Sequence, residues 1–374
     1  MTFSKSRAAL AFIACIAVIG ALLLSLATGA TGAEATQPPA ATLDGQRDFD
    51  FNFGVWNTHI RRLTHPLSGS SEYIELNGTV TVRKVWGGRA QLEEIETDGP
   101  NGHWEGLTLF LFDPAAHQWS QTFVSSKSGV FAGSTIGSFK NGRGELYAQD
   151  TSDGRSILVR GVWSEIKADS HRYEESYSDD GGKTWETVFS ASLTRRLPAA
   201  APASADPHEG SHDFDFDFGP WQTHSRRLMH PLAGANDWIE MHGTTVVSKV
   251  WGGRANLAEF KADGPAGHLE LLALRVYDPV NHQWSLNFAR PNVGKLGVPG
   301  VGRLRNGRLE FFDQEPINGK AVLVRFSIWG INANTARSEQ AFSADGGRTW
   351  EVNWINEYTR GASPSGAPNK VPTS

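Results

Sequence analysis

The feature that most constrains this 374-residue chain is an internal duplication with a constant offset of 165 residues. The motif Asp48-Phe49-Asp50-Phe51 returns as Asp213-Phe214-Asp215-Phe216, and the register holds without a gap to the closing Asp180-Gly181-Gly182 and Asp345-Gly346-Gly347. Solenoid and propeller repeats are about 20 to 50 residues long. A period of 165 therefore predicts two domains in tandem, at residues 44–197 and 211–361. The Ala- and Pro-rich segment 198–210 is predicted to be a linker, and 362–374 a disordered tail.

The N-terminal segment is typical of a secretory signal peptide. Lys5 and Arg7 precede an uncharged apolar run, and small residues follow with candidate cleavage after Ala33 or Ala35. The prediction is a signal peptide at residues 1–35 and a periplasmic or extracellular protein. Two alternatives stay open: a retained membrane anchor, because the run is long enough to span a bilayer, and a lipoprotein acylated at Cys15.

Composition excludes several classes of function. Cys15 is the only cysteine, so a cleaved protein has no disulfide, zinc-thiolate site or cysteine nucleophile. The net charge of −5 is spread evenly, without the basic stripe that nucleic-acid binding requires. We therefore expect no nucleic-acid partner, and no membrane association after cleavage of the signal peptide.

The local patterns predict an all-β fold. Phe49, Phe51 and Phe53 alternate with polar residues, and β-branched or aromatic runs of strand length occur at 79–85, 107–112, 119–124 and 157–163. Asp-Gly, Asn-Gly and Asp-Pro turns separate them. An antiparallel barrel of about eight to ten strands per copy fits this spacing, with an open sandwich as the alternative.

Each copy has a Gly-x-Trp motif near its start and an arginine in its last strand. Gly54-x-Trp56 pairs with Arg195, and Gly219-x-Trp221 with Arg360. In this respect the sequence resembles the calycin superfamily of lipocalin-like barrels, in which the late arginine stacks on the tryptophan and seals one barrel end. The resemblance implies two tandem calycin-like β-barrels.

More narrowly, each copy resembles a family of uncharacterised bacterial calycin-like proteins. The shared pattern is His-Asp-Phe-Asp-Phe, Gly-x-Trp, Gly-Gly, Tyr-Asp-Pro and Asp-Gly-Gly-x-Thr-Trp. Copy two fits through His212 and Tyr277, whereas copy one has Arg47 and Phe112 at those positions. This family has no agreed function.

The closing segments 178–185 and 343–350 match the Asp-box of sialidase-type propellers. An Asp-box is a hairpin turn in which the Asp and hydroxyl groups bond back to the backbone and the Trp packs beneath. Because a propeller needs several such boxes about 50 residues apart, two boxes 165 apart predict structural hairpins rather than a sialidase.

The histidines do not form a metal motif. His59 and His65 recur as His224 and His230, but no His-x-His or His-Glu-x-x-His occurs. Nitrobindin-like calycins bind haem through a late histidine; His171 is the only late candidate, and Ala336 replaces it in copy two. We therefore expect neither a metal nor another cofactor.

The sequence also predicts a ligand site formed by polar residues inside each barrel. If Trp56 points inward, alternation places Thr58, Ile60 and Arg62 on the same face. Charged residues interrupt other apolar strands, and an Arg–Glu pair in a cavity would hold a carboxylate or phosphate. A structural salt bridge or outward-facing side chains are the alternative. The predicted ligand-binding set is Arg62, Glu94, Arg160, Arg227, Glu259 and Arg325.

Two aromatic residues differ between the copies and are candidates for stacking on a ligand. Trp104 corresponds to Leu269, and Trp238 to Tyr73. Three functions follow from these observations: a binding module with one cavity per barrel for an apolar or amphipathic small molecule, an enzyme using a buried Glu/Arg pair for acid–base chemistry, or a structural module in which the two barrels form an internal pseudo-dimer.

Overall fold

The strand patterns of each copy close into an antiparallel β-barrel of ten strands in sequential order. The computed structural model describes residues 45–196, 210–291, 293–317 and 319–360. It confirms the predicted all-β class and the tandem barrels, and the open sandwich is wrong. The predicted signal peptide, tail and nearly all of the linker lie outside the described residues. Among the described residues, there is no helix with the length and apolar character needed to cross a bilayer.

The first barrel closes because its first and last strands pair, with Trp56 opposite Arg195. Its strands are β1 (Gly54–Leu63), β2 (Tyr73–Val85), β3 (Ala90–Gly99), β4 (Gly102–Asp113), β5 (Gln118–Ser125), β6 (Thr135–Lys140), β7 (Arg143–Ser152), β8 (Arg155–Ser164), β9 (Ser170–Ser178) and β10 (Glu186–Arg195).

The second barrel repeats this order and closes where Trp221 lies opposite Arg360. Its strands are β11 (Gly219–Leu228), β12 (Trp238–Val250), β13 (Ala255–Gly264), β14 (Gly267–Asp278), β15 (Gln283–Ala289), β16 (Gly300–Arg305), β17 (Arg308–Ile317), β18 (Lys320–Asn332), β19 (Thr335–Ser343) and β20 (Glu351–Arg360).

The alternating phenylalanines before β1 do not form the predicted strand. They lie around a short 3-10 helix, Asp50–Asn52, and Phe49 is fully buried. The Phe49 ring packs 4.9 Å from that of Phe110 and 5.1 Å from that of Trp119, measured between centroids. Burying these rings together beneath the barrel outweighs the extended pattern that alternation predicts. Asp215–Asp217 and Phe214 repeat the arrangement in the second barrel.

Each closing arginine completes this aromatic plug. The Arg195 guanidinium lies 4.1 Å from the Trp56 ring centroid and donates to the Phe53 carbonyl at 3.1 Å. Arg360 lies 3.7 Å from the Trp221 centroid and donates to the Phe218 carbonyl. The stack implied by the calycin resemblance is therefore present in both barrels, and we call this the sealed end. The opposite end, where β1 and β11 finish, is the open end.

An apolar cluster lies between the two barrels and is built from the same eight positions in each. The residues of the first barrel are Val85, Trp86, Ala90, Leu92, Leu107, Leu109, Leu111 and Val124, and those of the second are Val250, Trp251, Ala255, Leu257, Leu272, Leu274, Val276 and Ala289. Because corresponding surfaces of the two copies meet, the barrels are related by a pseudo-two-fold axis.

Two ion pairs obey the same pseudo-symmetry. Arg254 contacts Glu105 at 2.7 Å, and the corresponding Arg89 contacts Glu270 at 2.6 Å. Each arginine follows a turn at the sealed end of its barrel, whereas each glutamate lies near the open end. Each open end is therefore beside the sealed end of the neighbouring barrel, and the two open ends point in opposite directions.

Candidate functional site

The inward-facing side chains of β1 and β11 become more exposed to solvent toward one end of each barrel. On β1, the inward-facing Trp56, Thr58 and Ile60 are 0%, 4% and 1% exposed, whereas Arg62, next on the same face, is exposed. The register of β1 with β2 has no bulge, so alternation holds along the whole strand. The same face of β11 ends at the half-buried Arg227. The inward faces of β1 and β11 therefore end in solvent-accessible arginines at the open ends, and these ends are the candidate sites.

Near the sealed end, next to the aromatic plug, the first barrel contains a buried carboxyl group. Glu93 faces the interior and accepts hydrogen bonds from Thr108 at 2.9 Å and from Asn52 at 3.5 Å. Burial raises the pKa of Glu93 to about 7 despite these hydrogen bonds. No cation neutralises it among the ion pairs of the described residues, so it depends on protonation or on these two donors.

At the open end of the first barrel, Glu175 lies between two tyrosines. Tyr173 donates to Glu175 at 3.4 Å, and Tyr177 lies one position further along the same face of β9. Burial raises the pKa of Glu175, while hydrogen bonds from Tyr177 and Tyr173 and the charge of Arg62 limit the rise. This group can accept or donate hydrogen bonds beside a positive charge, where solvent enters.

An aromatic wall stands on the other side of the same interior. The rings of Trp104 and Phe123 stack with centroids 5.9 Å apart and planes 18° from parallel. Gly106 makes this possible, since a Cβ there would lie 2.7 Å from Phe123 and 2.8 Å from Trp104. Trp104 therefore faces inward, as a ligand-stacking residue must.

The second barrel has a different charged group in the region that corresponds to Glu93 of the first barrel. Arg275 replaces Phe110 and pairs with Asp217 at 2.5 Å, and both side chains are almost fully buried. The Arg275 guanidinium also lies 4.5 Å from the centroid of Phe214. A carboxylate neutralised by a cation thus occupies the region where the first barrel has Glu93 without one.

The open end of the second barrel is rich in arginine. Arg227 lies 5.1 Å from the Trp354 centroid, and burial together with the charge of Arg290 lowers the pKa of Arg227. Burial and the charge of Glu315 raise the pKa of Asp313 to about 7. Glu315 of β17 acts on Arg290, whereas the Arg227 guanidinium lies against the Trp354 ring, where it can hold an anion.

Glu94 and Glu259 do not face the interior. Glu94 shares the outer face of β3 with Leu92, whose side chain packs in the cluster between the barrels, and lies 3.8 Å from Arg83. Glu259 follows Leu257 on the corresponding face of β13. The inward residue on β3 is Glu93. Neither Glu94 nor Glu259 therefore contributes to the predicted Arg–Glu pair in a barrel cavity.

Arg160, Arg325 and Trp238 also lie on outer faces. Arg160 stacks on Trp185 at 4.5 Å and Arg325 on Trp350 at 4.8 Å. Trp238 is three residues from the inward Met241 in a strand without a bulge, so it faces outward. Of the predicted set, the structure brings only Arg62, Arg227 and Trp104 into barrel interiors.

The Asp-boxes are structural hairpins. Asp180 accepts from the backbone amides of Lys183 and Thr184 and from the Thr184 hydroxyl at 2.7 Å. These hydrogen bonds hold the pKa of Asp180 well below its usual range. The strand after the box supplies Glu186, which accepts from the Leu67 amide at 2.5 Å and fixes the β1–β2 loop on the open-end rim.

The repeated histidines are distributed over the surface. His65 and His230 lie in open-end loops, and His117 and His282 adopt positive φ in tight turns. His59 and His224 occupy the outer faces of β1 and β11. His171 is different, because it is 3% exposed and packs 4.3 Å from Trp56 inside the sealed end. Burial and the charge of Arg195 lower its pKa to about 4.

Sequence reasoning missed most of the interior polar groups. Glu93, Glu175, Arg290 and Asp313 were not singled out. For Glu93 the reason is that β3 and β4 are buried on both faces, which hides the inward parity. A comparison of the copies gives the signal, since Glu93 corresponds to Ala258, and non-equivalent polar residues mark the interior.

A separate cavity of about 300 Å³ lies on the outside of the second barrel. Its walls come from β15 to β17 and include Gln283, Arg303, Arg305 and Phe312. Phe312 faces outward and packs against Trp350, so the cavity lies on the outer face of the barrel.

Comparison with known proteins identifies no family. No protein-family model and no curated protein matches the chain. A protein of unknown function from the DUF3598 family of Nostoc punctiforme is 12% identical over 85% of this chain and 99% of its own, with a TM-score of 0.22. A transferrin-binding protein B variant from Haemophilus parasuis is 7% identical over 82% and 76%, with a TM-score of 0.18.

A candidate AttH protein from Nitrosomonas europaea is 10% identical over 87% of this chain and 100% of its own, with a TM-score of 0.14. At these identities and scores, the similarities support no functional assignment.

Proposed function

We propose that the protein is an exported binding module whose two calycin-like barrels each hold a small amphipathic molecule at the open end. The single observation that carries this proposal is the gradient along the inward faces of β1 and β11. Tryptophan and small side chains are fully buried at the sealed end, and arginine meets solvent at the open end. Such an interior offers an apolar wall next to a polar entrance, the usual composition of a small-molecule site.

The two open ends favour different ligands. In the first barrel, the Trp104–Phe123 stack stands beside Glu175 and Arg62, which suits an aromatic or hydroxylated molecule that both donates and accepts hydrogen bonds. In the second barrel, the half-buried Arg227 guanidinium lies 5.1 Å from the Trp354 ring centroid, which suits an amphipathic anion that pairs with Arg227 and packs on the ring. The second barrel is therefore the proposed site for a carboxylate or phosphate head group.

The experiment is a titration with 1-anilinonaphthalene-8-sulfonate, an amphipathic anion that fluoresces in apolar sites. Arg227→Met should weaken binding to the second barrel at least tenfold, because a charge-assisted hydrogen bond contributes roughly 1.5–3 kcal/mol. Arg226→Met is the matched control, since Arg226 is the adjacent residue on the outer face. Trp104→Leu, which installs the residue of copy two, should weaken the first site several-fold, whereas the outward Trp238→Tyr should not.

Two results would overturn the proposal. One is unchanged binding in both Arg227→Met and Trp104→Leu. The other is loss of the probe in an Arg303→Ala/Arg305→Ala variant alone, which would assign binding to the outer cavity instead.

A second candidate function is acid–base catalysis at Glu175. The observation that favours it is a half-buried carboxyl with a raised pKa between two tyrosine hydroxyls at an open end. Proton transfer requires such a poised group within reach of a substrate. Glu175→Gln should then abolish turnover of a bound compound without releasing it, whereas a binding module would show no turnover in either form.

The export proposal rests on the N-terminal pattern and on the lack of cysteine after residue 15. Fractionation of expressing cells should find a chain shortened by about 33 to 35 residues in the periplasm or medium. A full-length chain in the membrane fraction would instead support the retained anchor.

A further inference from the structure

Two histidines meet on the outer wall of the second barrel, away from both open ends. His224 of β11 lies directly opposite His242 of β12 in the strand register. Their rings are 4.7 Å apart between centroids and within 11° of parallel. The two residues are 18 positions apart in the sequence, so only the pairing of the strands brings them together.

A carboxylate completes this cluster. Glu240 Oε2 lies 3.5 Å from His224 Nε2, and one ligand atom from each of His224, Glu240 and His242 lies within 4.8 Å of the others. The Nε2 atom of His224 is inaccessible to solvent and makes no hydrogen bond with any described residue. A buried imidazole nitrogen that makes no hydrogen bond and lies 3.5 Å from a carboxylate oxygen is a nitrogen available for coordination.

The other nitrogen of His224 faces a second carboxylate. Glu357, opposite His224 on β20, has Oε2 3.6 Å from His224 Nδ1. Its other oxygen accepts a hydrogen bond from Arg337 at 3.0 Å and lies 4.0 Å from Arg226, so its position is fixed from two sides. A carboxylate behind a histidine orients the ring and raises its basicity toward a metal.

We propose that His224, His242 and Glu240 form a binding site for one divalent transition-metal ion, with Zn²⁺ as the expected occupant. Two imidazoles and one carboxylate are a common zinc ligand set, and water completes the tetrahedron. Glu357 is a positioning residue for His224. Asp263, opposite His242 on β13, is outside the ligand set because it pairs with His268 at 2.8 Å.

The first barrel lacks this site although it keeps part of the arrangement. His59 Nε2 lies 3.4 Å from Glu75 Oε2, which reproduces the pair of His224 with Glu240. However, Asn77 stands opposite His59, where the second barrel has His242, and Ser192 replaces Glu357. The chain therefore contains its own comparison, a His–Glu pair without the second imidazole.

The experiment is calorimetric titration of the full, tag-free chain with ZnCl₂ at pH 7.5 after removal of metal by chelation. We expect one site per chain with a dissociation constant on the order of micromolar. His242→Asn copies the first barrel and should weaken binding at least tenfold, whereas His59→Asn should leave it unchanged. Glu357→Gln should weaken it several-fold, because the Glu357 carboxylate positions the His224 ring.

Co²⁺ substitution and thermal melting keep the test decisive. Tetrahedral Co²⁺ bound to the wild type should give a visible absorption band that His242→Asn loses while its melting temperature without metal stays the same. The proposal is overturned if no binding is detected below millimolar Zn²⁺, if His242→Asn binds as the wild type does, or if His59→Asn abolishes the site. In those cases the cluster is a set of surface ion pairs only.

Discussion

The two barrels share one fold but solve the problem of a buried carboxyl group in opposite ways. In the first barrel, Glu93 lies among neutral donors, and burial raises its pKa to about 7. In the second, Asp217 at the position of Asn52 pairs with Arg275 at the position of Phe110. An unpaired buried carboxyl is stable when protonated, whereas a buried ion pair needs both charges. The stability of one copy should therefore depend on pH, and that of the other on a single partner.

The open ends of the two barrels also carry different side chains. The first barrel combines Glu175 with two tyrosines and the Trp104–Phe123 stack, and the second gathers Arg227 and Arg290. The structural elements around these groups are the same in both copies. The aromatic plug, the closing arginine stacked on tryptophan and the Asp-box all occur at corresponding sequence positions. The duplication has thus kept the scaffold and varied the interior, which favours two sites of unlike specificity.

The largest expected effect comes from breaking the ion pair of the second barrel. Asp217→Asn should lower the free energy of unfolding by about 3–5 kcal/mol, because it leaves the buried Arg275 without a counter-charge. Chemical denaturation at pH 7 measures this. The double variant Asp217→Asn/Arg275→Phe restores the residues of the first barrel and should recover most of the loss. A loss below about 1 kcal/mol in the single variant would mean that Arg275 does not depend on Asp217 for its counter-charge.

The next effect depends on pH. The pKa of Glu93 rises from 4.5 to about 7 on folding, so its stabilising contribution is complete below pH 4.5 and is lost as the pH rises to 7. Glu93→Gln should therefore raise stability at pH 8 by about 3 kcal/mol and change little at pH 4. Urea titrations at these two pH values measure the difference. A loss of stability at pH 8 would show that the ionised carboxylate is stabilised in the fold.

His171, in the same barrel as Glu93, should make stability change with pH in the opposite direction. Its pKa falls from 6.5 to about 4 on folding, so its contribution is present above pH 6.5 and is lost as the pH falls toward 4. The Glu93→Gln variant removes the carboxyl group whose pH dependence cancels that of His171. In this variant, the free energy of unfolding should therefore rise by about 3 kcal/mol between pH 4 and pH 6.5. His171→Ala/Glu93→Gln, which adds the alanine of the second barrel, should flatten this rise. A double variant with the same slope would exclude His171 as its source.

A smaller effect distinguishes the two ion pairs between the barrels. Glu105 is 9% exposed and accepts two hydrogen bonds from Arg254, whereas Glu270 is 21% exposed and accepts one from Arg89. Glu105→Gln should cost about 2 kcal/mol and Glu270→Gln less than about 1, because solvent screens the more exposed pair. Thermal unfolding of the two variants compares them directly. Equal losses would mean that burial does not separate the two pairs.

The smallest effect should be equal in the two copies. Arg160 and Arg325 both stack on the tryptophan of an Asp-box, so Arg160→Met and Arg325→Met should each cost about 0.5–1 kcal/mol. Neither should change binding of 1-anilinonaphthalene-8-sulfonate, since both side chains lie outside the barrels. A loss of probe binding in either variant would return these arginines to the set of ligand contacts.

Much of the fold followed from the sequence, because repeats, turn residues and β-branched runs are local signals. The predicted runs at 79–85, 107–112, 119–124 and 157–163 all lie within strands. The phenylalanines at the start of each copy were misassigned, since alternation cannot distinguish a strand from a plug. The direction of Glu94 was misjudged for a non-local reason. Leu92 is buried by the second barrel and not by its own interior, and no single-copy pattern reports that contact.

The candidate sites were harder to predict than the fold. Arg62 and Arg227 follow from simple alternation after the Gly-x-Trp tryptophan, and Trp104 from a difference between copies. Glu175 and Arg290 come from other strands, and His242 meets His224 only through the register of β11 with β12. Such convergence depends on barrel closure and strand stagger, which the sequence does not encode locally.

The central claim is that each barrel holds its own small molecule at an open end. Native mass spectrometry of the intact chain, purified from the fraction of expressing cells in which it accumulates, tests this most directly. The account predicts a chain carrying two small molecules, one of which is lost in Trp104→Leu and the other, an anion, in Arg227→Met. A bare chain, or bound molecules that persist in both variants, would contradict it.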